Sequence, residues 1–271
     1  AASSKTLAAS LIAQGIVAGD VVGVIAPNWS ELPLSHFALD RIGAVFLPLH
    51  DGFRHQELKS LLTQSRAKAL IYPASFHGRE YRPLIAQLQR ELPELHLLIV
   101  MRAAPLAGEL AFDDLTADDR WCAAQGHDRL ACPRPDPGSP MQIMVSSGTT
   151  STPRCSIFCD NAMAFKVVGQ YAHDSCRLTP RDIAVAIAPA GTGSTGYNYP
   201  ILAPLMTGGT AVLLERWSGA RLTTSLTRVG GMMADLPDGW TDDCRAFLAY
   251  FPKVLDEVEQ MLTRDRKSKR L

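Results

Sequence analysis

The sequence predicts an α/β fold in which mostly parallel sheets are covered by helices. Two observations carry that expectation. Short runs rich in Val, Ile and Leu alternate with segments whose apolar residues recur at helical spacing, so the period switches between that of a strand and that of a helix. Hydrophobic residues make up 46% of the 271 residues and charged residues 20%. That is enough apolar material to bury a sheet on both faces, and too little charge for a disordered chain.

The elements follow in order. Residues 3–14 are rich in Ala and Leu and read as a helix ending near Gly15. After the turn at Gly19 and Asp20, the β-branched run VVGVIA (21–26) reads as a strand closed by Pro27 and Asn28. Leu34, Phe37, Ala38 and Ile42 mark a helix over 30–42, and AVFLPL (44–49) is the next strand. Helix 54–64, strand ALIY (69–72), helix 79–91 and strand HLLIV (96–100) repeat the alternation, as βαβ units do. Residues 101–140 contain Pro105, Pro133, Pro135, Pro137 and Pro140 without periodicity; they read as an irregular connection with a boundary near 130–140. Beyond it come strand MQIMV (141–145), loop SSGTTSTPR (146–154) and helix 160–175, then strand IAVAIAP (183–189), helix 196–207 and strand TAVLLE (210–215). The expected organisation is a first α/β subdomain (1–135), a second one carrying the loop (136–220), and an atypical tail (221–271) with a helical stretch over 241–265.

Lys+Arg and Asp+Glu balance at 27 each, which leaves no electrostatic footprint for nucleic acid or an anionic membrane. No apolar run approaches the roughly 18 residues of a spanning helix, and the first residues show no leader pattern. The expected location is the cytoplasm. Cys122, Cys132, Cys155, Cys159, Cys176 and Cys244 form no C-x-x-C pair, so free thiols and no metal site are expected. The seven histidines, His36 and His50 among them, are scattered with no nucleophile or carboxylate at a motif spacing. They read as packing or surface residues.

The chemistry-bearing segment is the loop. Ser146, Ser147, Thr149, Thr150, Ser151 and Thr152 carry hydroxyls, Gly148 frees the backbone, and Arg154 supplies a fixed cation. A loop of this composition leaving the carboxyl end of a strand can wrap a polyphosphate with O–H, N–H and guanidinium donors. It is not a Walker A loop, because the chain contains no Gly-Lys pair.

This loop resembles the phosphate-binding signature of the adenylate-forming superfamily of acyl-CoA synthetases and aryl-acid AMP ligases, with Ser146, Ser147, Gly148, Thr149, Thr150 and Pro153 in register. The stretch 19–50, with its strand, Pro-Asn, helix and Arg-x-Gly-Ala-Val, is similar to the family's N-terminal pattern. So is 189–217 to its acyl-pocket helix and following strand. The resemblance implies activation of a small carboxylic acid by ATP and Mg as an acyl-adenylate, then transfer to the thiol of coenzyme A or of a carrier protein's phosphopantetheine. It further implies that Ser146 to Thr152 and Arg154 hold the triphosphate, and that Thr192 and Gly193 lie beside the acid. The catalytic residue is not identified. Ser151 stands at the family's Gly position, Arg154 at its Lys, and Thr192 where many members carry a His or aromatic residue. The family's later adenine, ribose and catalytic-Lys motifs do not occur after residue 217. The expectation is therefore the N-terminal portion of such a ligase, with a non-catalytic remnant or interaction protein as the alternative.

A second alternative is an NAD-dependent oxidoreductase. Gly191, Gly193 and Gly196 fit G-x-G-x-x-G between a strand and a helix, and Glu215 ends the next strand, where it could meet a ribose hydroxyl. Pro189 before the first Gly, and Pro200 and Pro204 inside the helix, speak against a regular phosphate-binding helix.

Overall fold

The computed structural model describes residues 2–117, 136–146 and 154–215. Their first part alternates as the sequence predicts: α1 (Ala2–Ala13), β1 (Val21–Ile25), α2 (Glu31–Arg41), β2 (Val45–Leu49), α3 (His55–Ser65), β3 (Ala69–Pro73), a small hairpin β4 (Ser75–Phe76) and β5 (Arg79–Glu80), α4 (Arg82–Glu91) and β6 (Leu97–Met101). Then come β7 (Glu109–Ala111), α5 (Phe112–Ala117), β8 (Pro140–Ser146) and β9 (Arg154–Cys159). Helix α6 joins an α-turn (Asp160–Met163) to a π-helical run (Ala164–Ser175). After β10 (Ile183–Ala186), helix α7 joins a π-helical run (Ser194–Leu202) to an α-turn (Ala203–Met206), and β11 (Thr210–Leu213) follows.

Seven strands form one sheet in the order β7-β6-β3-β1-β2-β8-β9, parallel throughout except for the antiparallel pair β8 and β9. β8 and β9, beyond residue 136, pair onto β2 in this sheet. The strands alternate as a doubly covered sheet requires. Val22, Val24, Phe46, Ile71 and Ile99 pack in one apolar cluster with Leu7 and Leu11 of α1, Leu39 of α2 and Phe112 and Leu115 of α5. Val45, Leu47, Leu70, Leu98 and Val100 pack on the opposite face with Leu58, Leu61 and Leu62 of α3 and Ile85 and Leu88 of α4.

The structure differs from the sequence expectation in three places. Residues 101–140 are not wholly irregular: β7 extends the sheet beside β6, and α5 buries Phe112 and Leu115 against α1, where the Ser10 hydroxyl donates to the Leu115 carbonyl at 2.8 Å. Elements this short span too few periods to register as a pattern. The loop expected over 146–154 is shorter, because Arg154 already opens β9. Helices α6 and α7 are largely π-helical; in α7 the wider turn takes in Pro200, which supplies no N–H to a ladder. Cys155, Cys159 and Cys176 are free. The other three cysteines and the tail helix expected over 241–265 lie outside the described residues.

β10 and β11 form a separate parallel pair, and Asn28 ties it to the large sheet by hydrogen bonds. Asn28, in the turn after β1 and 5% exposed, donates from Nδ2 to the carbonyls of Ala186 and Ala188 at 3.0 Å and of Leu214 at 3.1 Å, while its Oδ1 accepts from the Ala190 N–H at 2.8 Å. The indole N–H of the adjoining Trp29 donates to the Glu215 carboxylate at 2.8 Å. Asn28→Asp keeps the shape but turns a donor toward three carbonyls into an acceptor. Leaving buried groups unpaired costs about 3 kcal/mol, which lowers Tm by roughly 6 to 12 °C in a chain of this size. Calorimetry of the variant checks this; a shift below about 2 °C would place the junction's stability elsewhere.

Candidate functional site

The carboxyl ends of β1, β2 and β8 lie side by side, and they bring Asn28, His50 and Ser146 to one edge of the sheet. Helices α2 and α3 leave β1 and β2 toward opposite faces, which opens a crevice of the kind that binds ligands in open α/β sheets. Here the chain fills it. Residues 189–193 run between the Asn28 clamp and His50, and a Cβ on Gly191 would stand 2.3 Å from the His50 backbone N and Cα. Only glycine allows that crossing.

This contact overturns the dinucleotide reading of Gly191, Gly193 and Gly196. The side on which a pyrophosphate would need a bare Gly191 is occupied by the backbone of residues 49–50. The helix that follows is π-helical, with Pro200 inside. Glu215 does not wait for a ribose; its carboxylate holds the Trp29 indole.

The hydroxyl-rich segment links β8 to β9 in sequence, and Ser146 and Arg154 face each other as the last pair of the β8–β9 ladder. Ser147, Gly148, Thr149, Thr150, Ser151 and Thr152 themselves lie outside the described residues. Arg154 is exposed at the base of the connection. Gly193, at φ 70°, lies against that base: an added Cβ would meet Met144 Cε at 3.1 Å and the Val145 carbonyl oxygen at 3.7 Å. The fold thus brings together two segments that the sequence places far apart, the turn expected beside the acid and the strand end that launches the loop. The side chain of Thr192 is not among those described.

Beneath this junction lies a buried polar cluster that the sequence reading did not single out. Gln142, in the middle of β8 and fully buried, donates from Nε2 to Asn198 Oδ1 at 3.3 Å. Asn198 in turn donates to the Met144 sulfur at 3.1 Å and faces the Met163 sulfur at 4.0 Å. Ser194 places its hydroxyl 3.8 Å from the same Met144 sulfur. Thioethers are weak acceptors, so the Asn198 amide is held loosely, and Gln142 Oε1 has no partner. One residue away, the Tyr197 phenol shares a 2.8 Å hydrogen bond with His36 Nδ1, and His36 Nε2 is likewise buried without a partner. The signals were present as polar interruptions of apolar segments: Gln142 within MQIMV, and Asn198 within Tyr-Asn-Tyr-Pro.

Burial sets the protonation of this region. It drives the His36 imidazole down to about 3 and the Tyr197 phenol well above its usual value, so both are neutral. Asp40, one helical turn from His36, is pushed up to about 6 by burial and by the neighbouring Asp160 carboxylate. The cluster therefore presents uncharged polar groups, amides and thioethers, directly below Gly193. No group of three or more His, Cys, Asp or Glu that could hold a metal ion occurs among the described residues.

Comparison with known proteins places this geometry in a family. The AMP-binding enzyme family matches residues 1–230. The chain is 30% identical over 247 residues to the salicyl-AMP ligase / salicyl-S-ArCP synthetase of Mycobacterium tuberculosis, covering 88% of this chain and 41% of that protein. It is 29% identical over 217 residues to the medium-chain fatty-acid–CoA ligase of Escherichia coli, covering 79% of this chain and 36% of that one. Among solved structures, apo MbtA of Mycobacterium smegmatis superposes with a TM-score of 0.69 at 26% identity, over 84% of this chain and 40% of MbtA. The chain thus spans about two fifths of the length of the relatives it matches. A second family, the respiratory-chain NADH dehydrogenase 49 Kd subunit, matches residues 209–270, so the atypical tail has a likeness of its own.

Two titrating groups of α2, His36 and Asp40, oppose each other, and the opposition is measurable. A histidine held below its unfolded value stabilises the fold above pH 6.5, and that contribution is lost as pH falls toward 3. An aspartate held above its unfolded value destabilises the ionised fold above about pH 6, a penalty that disappears as pH falls toward 4. Between pH 6 and 4 the slopes offset. Asp40→Asn is expected to raise Tm at pH 7 and to leave a steeper fall of Tm on acidification, read by calorimetry across that range. Parallel profiles for wild type and variant would show that Asp40 titrates as an ordinary surface carboxylate.

Proposed function

Because the chain belongs to the AMP-binding enzyme family, we propose that it carries the triphosphate- and acid-binding part of a ligase that activates a small carboxylic acid with ATP. The acyl group then passes to the thiol of coenzyme A or of a carrier protein's phosphopantetheine. The observation that carries this reading is the meeting of Gly193 with Met144 and Val145 at the base of the hydroxyl-rich hairpin. An acid bound above Met144 and Asn198 would lie next to a triphosphate held by the loop.

In this reading the acid's carboxylate oxygen attacks the α-phosphorus of ATP, the bond to the bridging oxygen breaks, and pyrophosphate leaves. A thiol sulfur next attacks the acyl carbon, and AMP leaves with the electron pair of the C–O bond. The first step crowds negative charge at the triphosphate. Hydroxyls and backbone N–H groups of Ser146 to Thr152, with the Arg154 guanidinium, would stabilise the β- and γ-phosphates and hold the departing pyrophosphate in line. Arg154 keeps the cation but as a planar fork suited to two phosphate oxygens at once. The described residues supply no acidic cluster for magnesium, so the ion is assigned no protein ligand here. The Asn198 and Gln142 amides would contact polar substituents of the acid, while Met144 and Met163 fit its apolar part.

No helix among the described residues is long and apolar enough to cross a membrane, in keeping with a reaction between water-soluble substrates; we place it in the cytoplasm. A second reading is a non-catalytic member of the same fold, favoured by Ser151 and Arg154 standing where the family carries Gly and Lys.

Two measurements test these readings. In an ATP titration, Thr150→Ala combined with Arg154→Ala removes two charge-assisted contacts at about 1.5–3 kcal/mol each, so the dissociation constant is expected to rise at least ~100-fold. An unchanged affinity would take the loop out of the site. Exchange of labelled pyrophosphate into ATP, run with aryl and short aliphatic acids, separates catalysis from binding. ATP binding without exchange for any acid would favour the non-catalytic reading.

A further inference from the structure

His50 reads in the sequence as a packing or surface residue, yet the structure holds its imidazole in a built setting. The turn after β2 is fixed by the small hairpin: the Arg79 guanidinium donates to the Asp51 and Phe53 carbonyls, and the Tyr81 hydroxyl donates to the Asp51 carbonyl at 2.8 Å. From the other side the Gly191 backbone lies against that of His50. Within the turn, the Gly52 N–H donates to His50 Nδ1 at 2.7 Å. A Cβ on Gly52 would stand 2.9 Å from that nitrogen, so glycine leaves room for the ring. The side chain is 29% exposed, and Nε2, the ring nitrogen farther from the backbone, has no hydrogen-bond partner among the described residues.

These contacts decide where the ring carries its hydrogen. A backbone N–H can only donate, so Nδ1 meets Gly52 with its lone pair and the neutral ring is protonated on Nε2. Asp51 Oδ1 lies 3.1 Å from the same Nδ1. A second proton taken up there would pair with that carboxylate and leave the hydrogen on Nε2 in place. In both states Nε2 donates and has no lone pair with which to take a proton. It suits an oxygen-rich anion.

The register locates this donor. Phe46 pairs with Gln142 in the parallel ladder of β2 and β8; continued to the strand ends, the same register sets His50 level with Ser146, which faces Arg154 across the next ladder. The crossing segment agrees, because Gly191 touches His50 and Gly193 touches the Val145 carbonyl, and that length of chain spans at most about 7 Å. With strands about 4.8 Å apart, His50 and the exposed Arg154 flank Ser146 at roughly 10 Å from each other along the carboxyl edge of the sheet.

We propose that the His50 Nε2–H donates to a phosphoryl oxygen of the ATP triphosphate, from the side of Ser146 opposite Arg154. The inference rests on the ligase reading and adds to it a binding residue outside the hydroxyl-rich segment. A donor already oriented by Gly52 loses little freedom when the anion arrives, and a hydrogen bond to a charged oxygen is among the stronger ones.

Two substitutions in the full chain separate this role from that of a turn cap. In His50→Asn the amide oxygen can replace Nδ1 as acceptor of the Gly52 N–H, while no atom stands at Nε2. In His50→Gln the amide nitrogen reaches the Nε2 position. Calorimetric titrations use ATP and, separately, inorganic tripolyphosphate. For both probes the dissociation constant is expected to rise at least ~10-fold in His50→Asn and to stay within about threefold of wild type in His50→Gln. Unchanged affinity in His50→Asn, an equal loss in both variants, or a loss seen with ATP and absent with tripolyphosphate would each overturn the proposal and leave the ligase reading standing. A wild-type chain that binds neither probe would overturn both.

Discussion

The amide of Asn28 holds the two halves of the described structure in register. It stands in the turn after β1, at the sheet's carboxyl edge, and reaches three carbonyls and one N–H that belong to β10, the turn after it and the end of β11. A buried carbonyl without a partner costs free energy comparable to the hydrogen bond it forgoes, so these four groups dictate where the second strand pair sits. Neither Asp nor a hydroxyl side chain offers both the donors and the acceptor in one plane. Trp29 extends the junction: its indole holds Glu215, and the Arg102 guanidinium, paired with Glu31, lies 3.6 Å above its ring.

From that constraint the site follows. Once β10 is anchored over the end of β1, the residues after it must cross the end of β2, and Gly191 passes against the His50 backbone because it has no Cβ. The crossing carries Gly193 to Met144 and Val145, near the end of β8. The crevice in which a doubly wound sheet often binds a nucleotide is thus filled by the chain's own backbone. The same filling separates this chain from the dinucleotide-binding proteins that its glycine spacing imitates.

The alternation of strands and helices up to residue 100 was legible because each element is long enough to show its period and is bounded by Gly, Pro or Asn. The short elements β7 and α5 were not, and neither was β9, whose edge position leaves Ile157 exposed and blurs the polar alternation. The hydroxyl-rich segment stood out because six hydroxyl side chains fall within the seven residues 146–152. The buried amides of Gln142 and Asn198 did not: one polar residue in an apolar strand reads as noise until its neighbour across the fold is known.

The sequence by itself determined the sheet and the helices that cover it, since periodicity and turn residues are local properties. Only the tertiary structure decided what the glycines after β10 are for and which residues lie beside the end of β8. Gly191 answers to a backbone more than a hundred residues earlier in the chain, and Asn198 to a strand on the other side of the crevice. Such contacts depend on where Asn28 pins the second strand pair, and no local pattern encodes that distance.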